Sequence, residues 1–171
     1  MKLILNMPFR IDPRGPFAAP LEEWMCRVSR VIDFQCVSPR KRVLSSQELD
    51  AFYVSRMESF GTGAVWAFDE RGEDIDSAGL ARQLQQLTDR GCRTVQLCLG
   101  AAGGLPGVLA RSPGLRMLRL SRLTFAHELA VLVVLEQIYR AQSIINGHPY
   151  HYGAPSDLVK ARARSTDRRL N

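Results

Sequence analysis

The chain has 171 residues, 46% of them apolar and 23% charged, enough for one globular domain with a real core. A net charge of +6 and a pI near 9.5 point to a polyanionic partner, nucleic acid first. The totals exclude a disulfide-stapled module and a zinc module, since Cys26, Cys36, Cys92 and Cys98 form no CxxC pair and no zinc spacing. Free buried thiols at Cys36, Cys92 and Cys98 suit a reducing cytoplasm. The opening MKLILNMPFR lacks the features of a signal peptide, and the longest apolar run, Leu129 to Leu135, is too short to span a bilayer. The expectation is a soluble cytoplasmic protein without a membrane or metal partner.

In chain order, Lys2 to Asn6 reads as a short buried strand. A loop with Pro8, Pro13, Pro16 and Pro20 follows and carries Arg10 and Arg14, as a surface connection or, less simply, an RNA-touching loop. Leu21 to Val31 reads as a helix with Leu21, Trp24, Met25 and Val28 inward, and Ile32 to Val37 alternates as a strand. Ser45 and Glu48 have the spacing of a capping box, which opens a helix through Phe60. Gly63 to Phe68 reads as an apolar strand ending at Asp69, with a turn at Glu70-Arg71-Gly72. Asp76 or Ser77 caps a third helix with Leu80, Leu84 and Leu87 inward, and Gly91 ends it. Arg93 to Leu99 is the next strand and runs into the glycine-rich loop Gly100 to Gly107. A short helix through Leu109 and Arg111 follows, and Leu115 to Leu120 is the last strand. Strands alternating with helices predict an α/β fold, a mostly parallel sheet with helices on both faces.

The last helix and its exit, Thr124 to Tyr152, hold all three histidines. Apolar residues at Leu129, Leu132, Val133, Leu135, Ile138, Ile144 and Ile145 predict one wide buried stripe, with Ile144 and Ile145 left exposed in a monomer and therefore covered in a dimer. Glu136 and Arg140 stand four apart in the favourable order. Gly147 caps the helix near Asn146, and Pro149 sets His148 extended, so Tyr150 and His151 project on a stiff segment. Residues 153–171 carry five Arg or Lys against two Asp and read as a basic, mobile tail after a single domain at 1–152. In parallel sheets, ligands sit beyond the strands' carboxyl ends, here Phe68-Asp69, Gly100 to Gly107 and Leu120 to Phe125. The glycine loop is not GxGxxG and follows the fourth strand, which excludes a dinucleotide fingerprint.

The FD-x-x-G turn, the LGAAGG loop, LSRLTFAH, LEQIYRA and HPYH, in that order and spacing, resemble the small SPOUT-class methyltransferases. Within that class they resemble the RlmH family, which methylates N3 of a pseudouridine in large-subunit ribosomal RNA. The resemblance covers residues 63–151 in register and the first sixty more loosely. It implies a SPOUT-type α/β fold with a C-terminal deep trefoil knot, S-adenosyl-L-methionine as methyl donor, and a homodimer acting on 23S rRNA or the assembled ribosome. Carried over, Phe68 is the apolar wall, Gly100 and Gly104 offer backbone, and Leu120, Ser121, Arg122, Leu123, Thr124 and Phe125 wrap the cofactor. His127 and Arg122 fall to the substrate, and Tyr150 and His151 face a partner's cofactor.

For the chemistry, His151 or Tyr150 is assigned to the base edge, Arg140 to a phosphate or base clamp, and Glu136 to holding Arg140, against an ordinary helix pair for the last two. The chain departs from the family at Ala101, at Val131 and at Tyr152, the last two replacing expected basic residues. They motivate the competing reading, a catalytically weakened SPOUT paralogue that binds RNA or cofactor as a dimer without turnover.

Overall fold

The computed structural model describes residues 1–40, 44–59, 63–101, 104–112 and 114–152, with Ser59, Ala110, His151 and Tyr152 described by backbone alone. The basic tail expected over residues 153–171 lies outside the described residues.

Five strands, β1 (Lys2–Asn6), β2 (Asp33–Val37), β3 (Ala64–Asp74), β4 (Thr94–Leu99) and β5 (Leu115–Arg119), form one sheet in the order β2-β1-β4-β3-β5. Every pairing is parallel, with Leu5 opposite Cys36 and Leu97, and Phe68 opposite Leu99 and Leu118. The central strands are buried on both faces, which is why they read as nearly unbroken apolar runs. On one face Leu3, Leu5, Trp66, Phe68, Val95, Leu97 and Leu118 meet α1 (Ala18–Ser29), α3 (Ser77–Asp89) and α5 (His127–Ile145). On the other, Val65, Ala67 and Cys98 lie under Tyr53 of α2 (Ser46–Ser59) and Leu109 of α4 (Gly107–Ala110). The expected α/β sheet with helices on both faces is what forms.

Local signals act as expected at several ends. The Ser45–Glu48 capping box forms: Ser45 N donates to Glu48 Oε2 at 3.0 Å and Glu48 N to Ser45 Oγ at 3.3 Å. The carboxylate of Asp76 caps α3 by accepting from Gly79 N at 2.6 Å. Gly91 (φ 75°) and Gly147 (φ 66°) end α3 and α5 in the left-handed conformation.

Three expectations are corrected. β3 does not end at Asp69; it shifts register beside β5 and pairs again at Glu73 and Asp74. Gly72 permits this, since a Cβ there would stand 2.5 Å from the carbonyl carbon of Leu118. The stripe of α5 agrees with the expected one at Leu135 and Ile138 and departs from it elsewhere. Val131, Val134, Leu135, Ile138 and Ala141 are buried, Leu129 is 37% exposed, and Ile144 and Ile145 are half-buried against the core rather than exposed. Nor does the exit project: Pro149–Tyr152 is a 3₁₀ turn (η1), and it folds Tyr150 back onto α5 of the same chain.

Candidate active site

The ends of β3, β4 and β5 converge on one open cleft of about 620 Å³. Phe68 and Asp69 supply one wall, Leu99, Gly100, Ala101 and Gly104 a second, and Leu120, Ser121, Leu123, Thr124 and Phe125 a third, with His127 and Ala130 from α5. Phe68 and Leu120 also line a smaller cavity of about 290 Å³ between the sheet and the α3–α5 pair, whose other walls include core side chains such as Leu84 and Leu97. The cleft is the better candidate, because three loops bring main-chain groups to it.

The β4 loop is a tight turn. Ala101 and Gly104 exchange backbone hydrogen bonds at 3.2 and 2.8 Å, and Gly104 takes φ 87°. A Cβ on Gly100 would stand 3.0 Å from Gly104 C and 3.1 Å from its carbonyl oxygen, so glycine is needed to keep the turn closed. The buried hydroxyl of Tyr53 donates to the Leu99 carbonyl and fixes the base of this loop from behind. In the β5 loop, Leu123 N donates to Ser121 Oγ at 3.0 Å, and Leu123 is left 74% exposed at the rim.

Asp69, named from the sequence as a strand end but given no role, lines the cleft as a charged group. Its carboxylate, 6% exposed, accepts from Arg71 Nε at 2.7 Å, Arg71 Nη2 at 3.0 Å and Arg71 N at 3.0 Å. The Arg71 hydrogen bond holds it below the usual carboxylate range, against the opposing effect of burial. The FD-x-x-G pattern is its signal, visible as a turn but not as an ionised, buried group. Arg122, expected at the cofactor and substrate, does not line the cleft; its side chain is 83% exposed and lies 3.9 Å from Asp74.

The remaining expected site residues gather elsewhere on the chain. Glu136 Oε1 accepts from Arg140 Nε at 2.9 Å, from Arg140 Nη2, and from the Tyr150 hydroxyl at 3.1 Å. Arg140 also lies 4.8 Å over the Tyr150 ring, which packs edge-on against Tyr139 and Trp24. Burial first, then the charge of Glu136, raises the Tyr150 phenol above its ordinary value. Its Glu136 hydrogen bond raises the Arg140 guanidinium further. Gln137 Nε2 donates to Glu136 Oε2 at 2.6 Å and Ser77 Oγ to Gln137 Oε1 at 2.6 Å, tying the cluster to α3. None of Glu136, Arg140 and Tyr150 lines the cleft of its own chain. His151 follows in η1, described by backbone alone.

Among the described residues, no group of three or more His, Cys, Asp or Glu is placed to hold a metal ion. Among them, too, no helix is long and apolar enough to cross a membrane.

Comparison with known proteins gives this arrangement a family. Residues 12–151 match the family model described as "Predicted SPOUT methyltransferase". A protein of Anaeromyxobacter sp. (strain Fw109-5), named Ribosomal RNA large subunit methyltransferase H, is 37% identical over 145 residues, covering 82% of this chain and 93% of the relative. The protein of that name from Pelobacter propionicus is 33% identical over 135 residues, covering 77% and 88%. Its namesake from Rhizobium meliloti is 43% identical over 84 residues, 48% of this chain and 51% of the relative. A model that spans most of the chain, two relatives matched over 93% and 88% of their length, and three strand-end loops meeting at one cleft agree: the chain belongs to the SPOUT methyltransferases, in the family of ribosomal RNA large subunit methyltransferase H.

Proposed function

We propose that this protein transfers a methyl group from S-adenosyl-L-methionine to large-subunit ribosomal RNA, at N3 of a pseudouridine, as a homodimer with a knotted C-terminal part acting on cytoplasmic ribosomes. The observation that carries the reading is the convergence of three strand-end loops on a cleft of about 620 Å³, within the range that holds a nucleoside-sized ligand. The fit to the cofactor rests on Gly100, where the loop closes on Gly104 too tightly for a Cβ and leaves no side chain between main chain and cleft. Main-chain groups of Gly100, Ala101, Gly104 and residues 120–125 would hold it, with Phe68 as an apolar wall. When bound, it supplies an electrophilic methyl on a sulfonium centre.

The chain's own residues perform the other tasks. The Glu136–Arg140–Tyr150 cluster does not line its own chain's cleft, which supports a site completed by the second copy. There Arg140, oriented by Glu136 through Nε and Nη2, offers its remaining N–H groups to the negative charge that develops as N3 gives up its proton. Tyr150, whose hydroxyl donates to Glu136, holds the cluster together, and His151 receives the N3 proton. Val131 stands where the family carries arginine and is fully buried in the core, so Arg140 is the cation of α5 left to this role. The test combines calorimetry with S-adenosylmethionine and methyl transfer to 70S ribosomes. Binding with transfer is expected, and absence of cofactor binding overturns the reading.

A further inference from the structure

We infer that the RNA strand enters the cleft across the loop of residues 8–16, with one unpaired base stacked on the Phe9–His127 pair and its neighbouring phosphates on Arg10 and Arg14. The inference deepens the methyltransferase reading and rests on it for the identity of the strand.

Two groups of arginines, one around β3, β5 and α3 and one in the loop of residues 8–16, have their charges spent differently. In the first group each arginine meets a carboxylate: Arg71 with Asp69 at 2.7 Å, Arg116 with Glu73 at 2.9 Å, Arg119 with Asp74 at 2.6 Å. Arg82 and Arg122 follow more loosely, at 3.9 Å from Asp76 and Asp74. Phosphates arriving there meet a surface already close to neutral. In the loop of residues 8–16, Arg10 and Arg14 are exposed, and among the described residues neither is ion-paired. Arg10 donates instead to a neutral carbonyl, Arg40 O at 3.2 Å, which orients the guanidinium without cancelling its charge. The one carboxylate of the loop, Asp12, accepts the backbone N–H of Arg14 at 3.0 Å.

The same loop places an aromatic surface at the rim. Phe9 is half-buried on the core, and its ring centroid lies 4.9 Å from that of His127 with the planes 35° apart. His127 is exposed and lines the cleft, so an imidazole in contact with Phe9 stands where a base entering the cleft can reach it. The loop is held by contacts of its own. Gly15 N donates to Asp12 O at 2.9 Å, Asp12 N to Glu128 Oε1 at 3.4 Å, and Pro8, Pro13 and Pro16 restrict the chain. A recess of about 230 Å³ opens at Arg10, Ile11, Asp12 and Pro13. A flat ring beside a loop that carries two exposed arginines fits an unstacked, single-stranded base, whereas duplex RNA keeps its bases stacked and out of reach.

The test measures binding of a short single-stranded oligouridylate, and of an abasic strand of equal length, across a salt series. Arg10→Gln with Arg14→Gln should lower the salt slope by about 1.4, at roughly 0.7 for each single-strand phosphate that the protein ceases to neutralise. Arg82→Gln with Arg116→Gln, the same charge change in the other group, should leave it unaltered. Phe9→Leu should weaken oligouridylate binding roughly 5- to 100-fold, the range for losing one stacked base, while abasic binding and the salt slope stay put. His127→Ala repeats that test at an exposed position, should Phe9→Leu unfold. An equal loss of slope from the two arginine pairs overturns the inference, as does equal weakening toward both strands. RNA binding that follows this pattern without methyl transfer to ribosomes upholds the inference and overturns the activity proposed above.

Discussion

Replacing Gly100 by alanine tests the cofactor cleft with the smallest possible probe. The added methyl would stand 3.0 Å from Gly104 C, 3.1 Å from its oxygen and 3.3 Å from its Cα, inside the roughly 3.5–4.0 Å of comfortable carbon contact. Those atoms are backbone, so no side chain can rotate away; the Ala101–Gly104 turn must open by a few tenths of an ångström. Overpacking of this kind costs about 1–3 kcal/mol. The free protein can relax the turn, whereas a bound cofactor needs it closed, so the cost falls on binding. At 1.4 kcal/mol per tenfold, calorimetry should read a loss of affinity of roughly 5- to 140-fold, with the melting temperature nearly unchanged. Gly72→Ala is the contrasting control. Its Cβ would fall 2.5 Å from Leu118 C and 2.7 Å from Leu118 N, inside the β3–β5 pairing, so it should lower the melting temperature. Wild-type cofactor affinity in a folded Gly100→Ala protein would refute the placement of the cofactor against this loop.

Mixing Gly100→Val chains with His151→Ala chains should restore part of the methyl transfer, since one hybrid site keeps both an intact loop and an intact exit. No recovery despite demonstrated subunit exchange would mean that η1 does not serve the partner's cleft. Asp69, depressed by Arg71, contributes stability that is complete above its unfolded value of about 3.9 and lost as pH falls through its lower folded value. The gap in melting temperature between wild type and Arg71→Ala should therefore be full at pH 6 and close in strong acid; a gap that stays constant contradicts the pairing. Burial pushes the thiols of Cys36 and Cys98 up to about 12, while Cys26 is exposed. A thiol reagent at neutral pH should modify Cys26 first and Cys98 only on unfolding, and early modification of Cys98 would contradict its burial.

Much of the fold is legible because its signals are local. β1 and β4 read as apolar runs, Ser45 and Glu48 lie three residues apart, and Gly91 ends α3 by its own conformational freedom. What stays hidden depends on contacts between distant segments. β3 continues past Asp69 only because β5, more than forty residues on, comes close over Gly72. The phase of α5 is hard to read because the sheet, α1 and α3 all cover it, so apolar residues occur around most of its circumference and periodicity loses its contrast. Tyr150 turns back to Glu136, a partner fourteen residues upstream that a proline in the sequence does not announce. The cleft's three loops can be named in advance from the parallel-sheet rule, yet Arg122 cannot be told apart from its neighbours in LSRLTF until the direction of each side chain is known.

The strand order has a consequence for how the chain is made. β3 lies between β4 and β5, both of which follow it in sequence, so its apolar segment Ala64–Phe68 emerges from the ribosome with no neighbour to pair with. About twenty residues separate the end of β3 from the start of β4. At roughly 5–20 residues per second, that is about 1–4 s of exposure for a sticky strand during synthesis. β1 and β2 can pair early, but β4 must then insert beside β1 across some ninety residues of intervening chain before β3 gains its first partner. The nascent protein therefore passes through a vulnerable interval that ends only when β4 arrives, and the three loops of the cleft, all downstream of that event or dependent on it, assemble last.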